Sequence, residues 1–264
     1  MNLLNISKRI AVTFCALILL PQNYFIYSAL AAGDSIIKSA PMVSSEDRVL
    51  SKGTMNTYNM NIEDKNSFFS LTSRLRYTDR WILFQNSEKK EDLADHSLEV
   101  GVIAHALALI KNKKFNGKIN AERAALLGMY HDMLEIVTGD LPTPIKYYDL
   151  DLKFLYEKIE DKAADEVISL LTEELKEDYS KILKHSDEEE EIWDIVKSAD
   201  VISAIIKCLR EKKVGNNDFD KVYAEYYERI LSIAVNAPEV DYFIKTFMPS
   251  FGFEYPDNVQ NTVK

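Results

Sequence analysis

From Ser67 onward, apolar residues recur at three- and four-residue spacing, and no alternating run is long enough to be a β-strand. That pattern leaves one class of fold open, helices packed on helices. Composition agrees where it bears on the point: 264 residues include only eight glycines and seven prolines, the residues that interrupt helices. The spacing predicts a short amphipathic helix over "SFFSLTSRLR" and a longer one over 92–112, with Leu98, Val102, Ala106 and Leu109 as its apolar stripe. Asn120 is the expected N-cap of a helix over "AERAALLGMYHDMLEI", which "TGDLPTP" ends because Pro142 and Pro144 disfavour helix before them. Further helices are expected over 151–171, 173–185, 188–212, 220–235 and 238–247. The acidic run Asp187–Glu191 reads as a helix start, where carboxylates suit the positive end of the dipole.

The first sixty residues do not share this pattern. Lys8 and Arg9 precede the apolar run "IAVTFCALILL", and Ala29-Leu30-Ala31 offers a small-x-small cleavage site. Pro21-Gln22-Asn23 interrupts the run, whose uninterrupted length falls short of a membrane span. Residues 33–65 are polar and patternless, as a linker is. The expected organisation is a signal-like or unstructured extension over 1–60, a domain over 61–255 and a tail over 256–264. The plainer account of the extension is a start assigned too early, with the working protein beginning near Met60. The cytoplasm is the expected compartment, with export the alternative if residues 1–31 are made and cleaved.

The formal net charge is −10. Such a chain repels nucleic acid and anionic membrane unless a local patch overrides the total. No nucleic-acid partner and no stable membrane association are therefore expected for residues 61–264, and an anionic substrate needs a cation or an arginine at its site. Two cysteines, Cys15 and Cys208, exclude a disulfide framework and a thiol-rich metal site. Any metal must be held by His, Asp or Glu.

One stretch departs from the helical pattern of polar outside and apolar inside. "YHDMLEIVTGD", residues 130–140, places His131, Asp132 and Glu135 within an apolar helix, with His131 and Glu135 on one face. Three ionisable groups there are expensive to bury without a partner, and a divalent cation is a suitable one. Imidazole and carboxylate together suit Mn, Co, Fe, Ni or Zn, with Mg also possible. The remaining ligands must come from other helices. Only four histidines exist. His105 lies half a turn out of phase with His96 and reads as packed or surface, while His185 sits beside Lys184 and Ser186 and reads as solvated. His96 remains, and "IWDIVKSADVISAIIKCL" adds Asp200, an aspartate among apolar neighbours, whereas Asp194 falls on another face. The constellation is His96, His131, Asp132 and Asp200, on three helices.

His, then His-Asp, then a distant Asp resembles the signature of the HD-domain metal-dependent phosphohydrolase superfamily. "SRLRYTDRW", "DHSLEVGVIAHALALIKNKKFNGKINAERAALLGMYHD", "EIVTGDLPTPIKYY", "VKSADVISAIIKCL", "GNNDFD" and "VDYFIKTFMPSF" narrow the resemblance to the bacterial 5′-deoxynucleotidase family of YfbR type, over roughly residues 66–255. The chain departs from that family in having Ala94-Asp95 before His96, where Ser-Glu is frequent, and Leu134 where a small residue is frequent.

The resemblance implies an all-α HD-domain bundle, a homodimer, and hydrolysis of deoxyribonucleoside 5′-monophosphates to deoxynucleoside and phosphate. It also implies that His96, His131, Asp132 and Asp200 are metal ligands, that Glu135 is the catalytic carboxylate, and that Arg80, Trp81 and Asp140 bind substrate. Such roles are chemically coherent. Glu135 can orient or deprotonate a water, or protonate the leaving 5′-oxygen, and Arg80 can hold phosphate through two parallel bonds. Trp81 offers a flat face to the sugar, and Asp140 an acceptor for a sugar hydroxyl. From the residues alone, Arg80 reads as a surface ion pair, Trp81 as core and Asp140 as a turn residue. Two other readings of the chain stand beside this one: an HD hydrolase of another nucleotide phosphoester, such as a triphosphate or cyclic nucleotide, and a non-catalytic helical binding module with a structural metal.

Overall fold

The computed structural model describes residues 66–142 and 150–256. Within them the chain forms α1 (Phe68–Thr72), α2 (Leu93–Lys114), α3 (Ala121–Tyr130), α4 (Glu135–Thr138), α5 (Leu150–Ser169), α6 (Glu173–Leu183), α7 (Glu190–Lys213), α8 (Asp220–Asn236) and α9 (Pro238–Thr246). No strand occurs among the described residues. A single antiparallel bridge, Asp79 to Asp92, closes the loop that carries Arg80 and Trp81. The leader, the start near Met60, Pro144 and the tail beyond Pro256 lie outside the described residues.

Helix starts follow local chemistry. The Asn120 side chain accepts the Arg123 N–H at 2.8 Å, as expected, and Asp92 accepts that of Asp95 at 2.9 Å, capping α2. The acidic run opens with a 3₁₀ turn, Asp187–Glu189, before α7 begins. Glu189 then takes two 2.7 Å bonds from Arg123, tying the entry of α7 to α3.

Helix α7 is the centre of the core and packs against α2, α3 and α8. Helices α2 and α3 meet through glycines: a Cβ on Gly128 would stand 2.9 Å from the Gly101 Cα. This close approach brings His96, near the start of α2, beside His131, just past the end of α3. Helix α2 is long and apolar enough to cross a membrane, but half of that window, 50%, is buried in the packing.

Two expectations are corrected. The stripe of Leu98, Val102 and Leu109 faces outward, at 61%, 62% and 39% exposure, while Leu93, His96, Val100, Ile103, Ala104 and Leu107 face the core. Helix α2 is apolar on nearly all sides, so periodicity does not select its inner face; the partners α3, α7 and α9 do. The helix expected to run from Asn120 through Ile136 stops at Tyr130. The Met133 and Glu135 N–H groups bond three residues back, to Tyr130 and Asp132, in place of the four-residue ladder. The tightened turn carries His131 and Asp132, and Glu135 opens the separate helix α4.

Candidate active site

The two imidazoles on neighbouring helices lie with ring centroids 5.2 Å apart. His131 Nδ1 is 2.8 Å from the Gly128 carbonyl, which can only accept, so this nitrogen carries the proton. His96 Nδ1 sits 3.2 Å from Ser203 Oγ. Both Nε2 atoms are buried without a hydrogen-bond partner, and both look toward carboxylates. His96 Nε2 is 3.4 Å from Asp132 Oδ2 and 3.2 Å from Asp200 Oδ1; His131 Nε2 is 3.1 Å and 4.0 Å from the same two atoms. Ligand atoms of His96, His131 and Asp132 all lie within 4.8 Å of one another. Asp200 keeps 35% of its side chain exposed, because it opens on a cavity while Ala199 and Val201 are buried.

Lone pairs facing lone pairs is an arrangement a divalent cation resolves, so these residues fit the metal that the sequence implies. Without a cation, protons do part of that work. Burial and Arg80 push His96 down, but Asp132 and Asp200 outweigh them and raise it to about 9. Burial pushes the Asp132 carboxyl up, while His131, His96 and Arg80 hold it well below the usual carboxylate range.

Arg80 stands next to this cluster, with 11% of its side chain exposed. Its Nη1 donates to Asp132 Oδ2 at 2.9 Å and its Nε to Glu91 Oε1 at 3.1 Å. Burial works against its charge, but Asp132, Asp200, Asp140 and Glu91 raise its pKa further above the usual arginine value. Trp81 adopts φ +58°, a left-handed conformation that strains a bulky residue. Its indole N–H donates to the same Glu91 oxygen at 3.3 Å, and its ring packs against Phe84, Phe219 and Tyr226. Asp140 follows Gly139, whose φ of +78° only glycine adopts freely. The Gly139 carbonyl accepts the Tyr156 hydroxyl at 3.2 Å, fastening this loop to α5. Burial raises the Asp140 carboxyl against the pull of Arg80.

All the expected residues except the buried His96 line one or other of two cavities. One of about 460 Å³ is lined by His131, Asp132, Leu134, Glu135 and Asp200. The other, about 640 Å³, is lined by Arg80, Trp81, Asp140 and Tyr226. The Arg80–Asp132 ion pair joins them. Glu135 therefore shares the cavity of His131, Asp132 and Asp200 although no continuous helix connects it to His131. His105 is half-buried and Asp194 exposed, both apart from the cluster. His185 is exposed as expected, but stacks on Trp193 at 5.2 Å on the rim of the smaller cavity.

Two further participants escaped the sequence reading. Glu91 lies in the charged run "SEKKED", which reads as solvated loop, and no periodic signal marks it. Ser203 did carry a signal: a polar residue three positions after Asp200 on an apolar helix shares its face.

The family model described as 5′-deoxynucleotidase YfbR-like matches residues 67–251. A 5′-deoxynucleotidase of Vibrio atlanticus is 46% identical over 184 residues, covering 70% of this chain and 93% of that protein. A 5′-deoxynucleotidase of Yersinia pestis is 47% identical over 184 residues, covering 70% and 92%. Among solved structures, an HD-domain phosphohydrolase of Listeria innocua superposes with a TM-score of 0.59 at 22% identity, covering 70% of this chain and 88% of its own. A cyanophage S-2L HD phosphohydrolase, solved with dA and one catalytic Zn²⁺, gives 0.50 at 20% identity over 69% and 95%. At these identities the solved structures speak for the all-α HD fold.

Proposed function

This chain belongs to the YfbR-like 5′-deoxynucleotidase family, and we propose that it hydrolyses deoxyribonucleoside 5′-monophosphates to deoxynucleoside and phosphate with a divalent ion held by His96, His131, Asp132 and Asp200. The observation that carries the reading is the convergence of two unpartnered Nε2 atoms on two carboxylates, with an arginine beside them. A divalent ion in that position supplies compensation for charge at phosphorus and an acidified water. Zn, Mn, Co, Fe, Ni and Mg all suit the donor set to differing degrees.

The side chains divide the remaining work. Glu91 and Asp132 occupy two of the five N–H groups of Arg80. The three left, on Nη1 and Nη2, suffice for an end-on pair of bonds to phosphate. This fixed cation explains how a chain of net charge −10 attracts an anion: locally, against its total. Glu135 lines the cavity that contains the scissile bond and moves a proton there, to or from water or the leaving 5′-oxygen. In the adjoining cavity Trp81, locked by Glu91, offers its face to the sugar and excludes a 2′-hydroxyl, while Asp140 accepts a sugar hydroxyl.

The test is a panel of ribo- and deoxynucleoside monophosphates with each divalent metal, with and without chelator. Phosphate release from the deoxy series, lost with chelator and in Glu135→Ala, is the expected result. No release with any metal overturns the reading, and pyrophosphate or triphosphate released from nucleoside triphosphates redirects it.

A homodimer belongs to the same proposal, supported by the outward stripe Leu98, Val102 and Leu109, an apolar face suited to a second copy. Light scattering on Val102→Asp, expected to yield a monomer, tests this part. A cytoplasmic location is also proposed, and N-terminal sequencing of the native protein tests it.

A further inference from the structure

Resting on the reading of His96 as a metal ligand, we propose that Ser203 and Glu99 form a positioning relay that fixes the His96 tautomer and thereby sets metal affinity. Ser203 is fully buried, at 0% exposure, and His96 nearly so, at 1%. A serine hydroxyl has one hydrogen to give. Here it goes to Glu99 Oε2 at 2.7 Å, a carboxylate oxygen that accepts. The Ser203 oxygen, 3.2 Å from His96 Nδ1, is left with its lone pairs and can only accept from that nitrogen. The proton of a neutral His96 therefore resides on Nδ1, and the Nε2 lone pair is presented to the Asp132–Asp200 cluster. Arg210 Nη2, 3.3 Å from Glu99 Oε1, anchors the outer end of the relay.

His131 achieves the same tautomer differently. Its Nδ1 partner is the Gly128 carbonyl of its own chain segment, which no side-chain substitution removes. The two imidazoles are thus unequal: one is fixed by backbone, the other by two side chains from α2 and α7. Of the two, only His96 can be detuned by side-chain substitution around its Nδ1. Without Glu99 the serine hydroxyl is free to rotate and donate to Nδ1, which moves the imidazole proton to Nε2 and blocks ligation. Without the hydroxyl, the buried Nδ1–H loses its 3.2 Å acceptor, and the next, Glu91 Oε1, stands 3.7 Å away and already accepts from Arg80 and Trp81.

The test is Mn²⁺ binding to the full chain by calorimetry and by electron paramagnetic resonance, on wild type and three variants. Ser203→Ala and Glu99→Ala are expected to weaken Mn²⁺ by about 10- to 100-fold, the usual scale for removing a group that orients a histidine ligand. Glu99→Gln keeps an acceptor oxygen for the serine and is expected to stay within about threefold of wild type. Wild-type affinity in both alanine variants overturns the relay while leaving the metal reading intact. A wild-type protein that binds no Mn²⁺ overturns both. Because Ser203→Ala sits in the core, ¹H–¹⁵N spectra of Zn²⁺-loaded wild type provide a reading that needs no variant. A slowly exchanging Nδ1–H on His96 is expected, and ligation through Nδ1 overturns the proposal.

Discussion

Two polar clusters share one seam of α7 and differ in how they are satisfied. Asp200, Ser203, Lys207 and Glu211 follow one another at spacings of three and four, on one side of the helix among apolar neighbours. In the later half, Lys207 and Glu211 are 1% and 0% exposed and every charge meets its complement. Lys207 Nζ donates to Glu211 Oε1 at 2.6 Å and to the Lys89 carbonyl at 2.9 Å. The Glu211 carboxylate also accepts from Asn216 Nδ2 at 2.8 Å and from the Ser87 and Glu88 N–H groups at 3.0 and 3.2 Å. Donors and acceptors balance, so this cluster is closed. It clamps residues 85–89, and with them the loop bearing Arg80 and Glu91, onto α7. In the earlier half, Asp200 meets Asp132 and two imidazole Nε2 atoms, and once the imidazoles are neutral this is an excess of acceptors open to a cation. A balanced buried cluster supports the fold; an unbalanced one is poised to bind.

Breaking each half should separate the two roles. The largest effect is expected from His131→Ala, which removes a proposed ligand from the open cluster: phosphate release should fall by at least about 10³-fold. The melting temperature of the metal-free protein should change little. Mn²⁺ should raise the wild-type melting temperature, by the equivalent of about 2.7 kcal/mol at a hundred times its dissociation constant, and leave His131→Ala unmoved. A variant that melts much earlier without metal would erase the distinction.

Glu211→Ala, on the closed side, should do the reverse. It strands the buried Lys207 ammonium and should destabilise by about 3–5 kcal/mol, on the order of 10 °C in melting temperature for a domain of this size. Mn²⁺ affinity measured below the transition should persist. Equal stability of variant and wild type by urea titration would show that this half is not structural.

Gly128→Ala tests the crossing that holds the open cluster together. The new Cβ meets Gly101 backbone at 2.9–3.1 Å, so the helices must part. About 1–3 kcal/mol of destabilisation is expected, with weaker metal binding because His96 and His131 sit on the two helices displaced. Weaker stability with unchanged affinity would disconnect the crossing from the site.

The smallest effect is in acid. Burial alone would raise the Glu211 carboxyl, but Lys207, Asn216 and the Ser87 N–H hold it below its ordinary value. A depressed carboxyl contributes stability that is present above the unfolded pKa of about 4.3 and lost as pH falls through the folded one. Below that pH, wild type should therefore lose stability more steeply than Glu211→Gln, a difference that denaturant titrations at pH 3–5 would register.

Much of the candidate site was legible because its residues contradict their surroundings. Asp200 between Ala199 and Val201, and His131-Asp132 in an apolar run, advertise a partner whatever the fold. Arg80, Trp81 and Asp140 carried no such contradiction, and only the resemblance pointed to them. Glu91 could not be read at all, since one carboxylate in a run of charges looks like any other until the loop folds back to place both Arg80 and Trp81 on it.

The sequence by itself determined the helices, most of their ends and the residue types of the candidate site, because hydrogen-bond ladders, caps and residue types act over a few positions. It also determined that an α-helical chain with this His-Asp pattern resembles the family it belongs to. Tertiary structure decided what depends on neighbours distant in the chain. It chose the inner face of α2, an apolar helix that could have buried either side. It broke the helix at His131 into the tightened turn before α4, and it set Glu91 on Arg80 and Ser203 on His96. A local rule fixes what a residue can do; only packing fixes which residue it does it with.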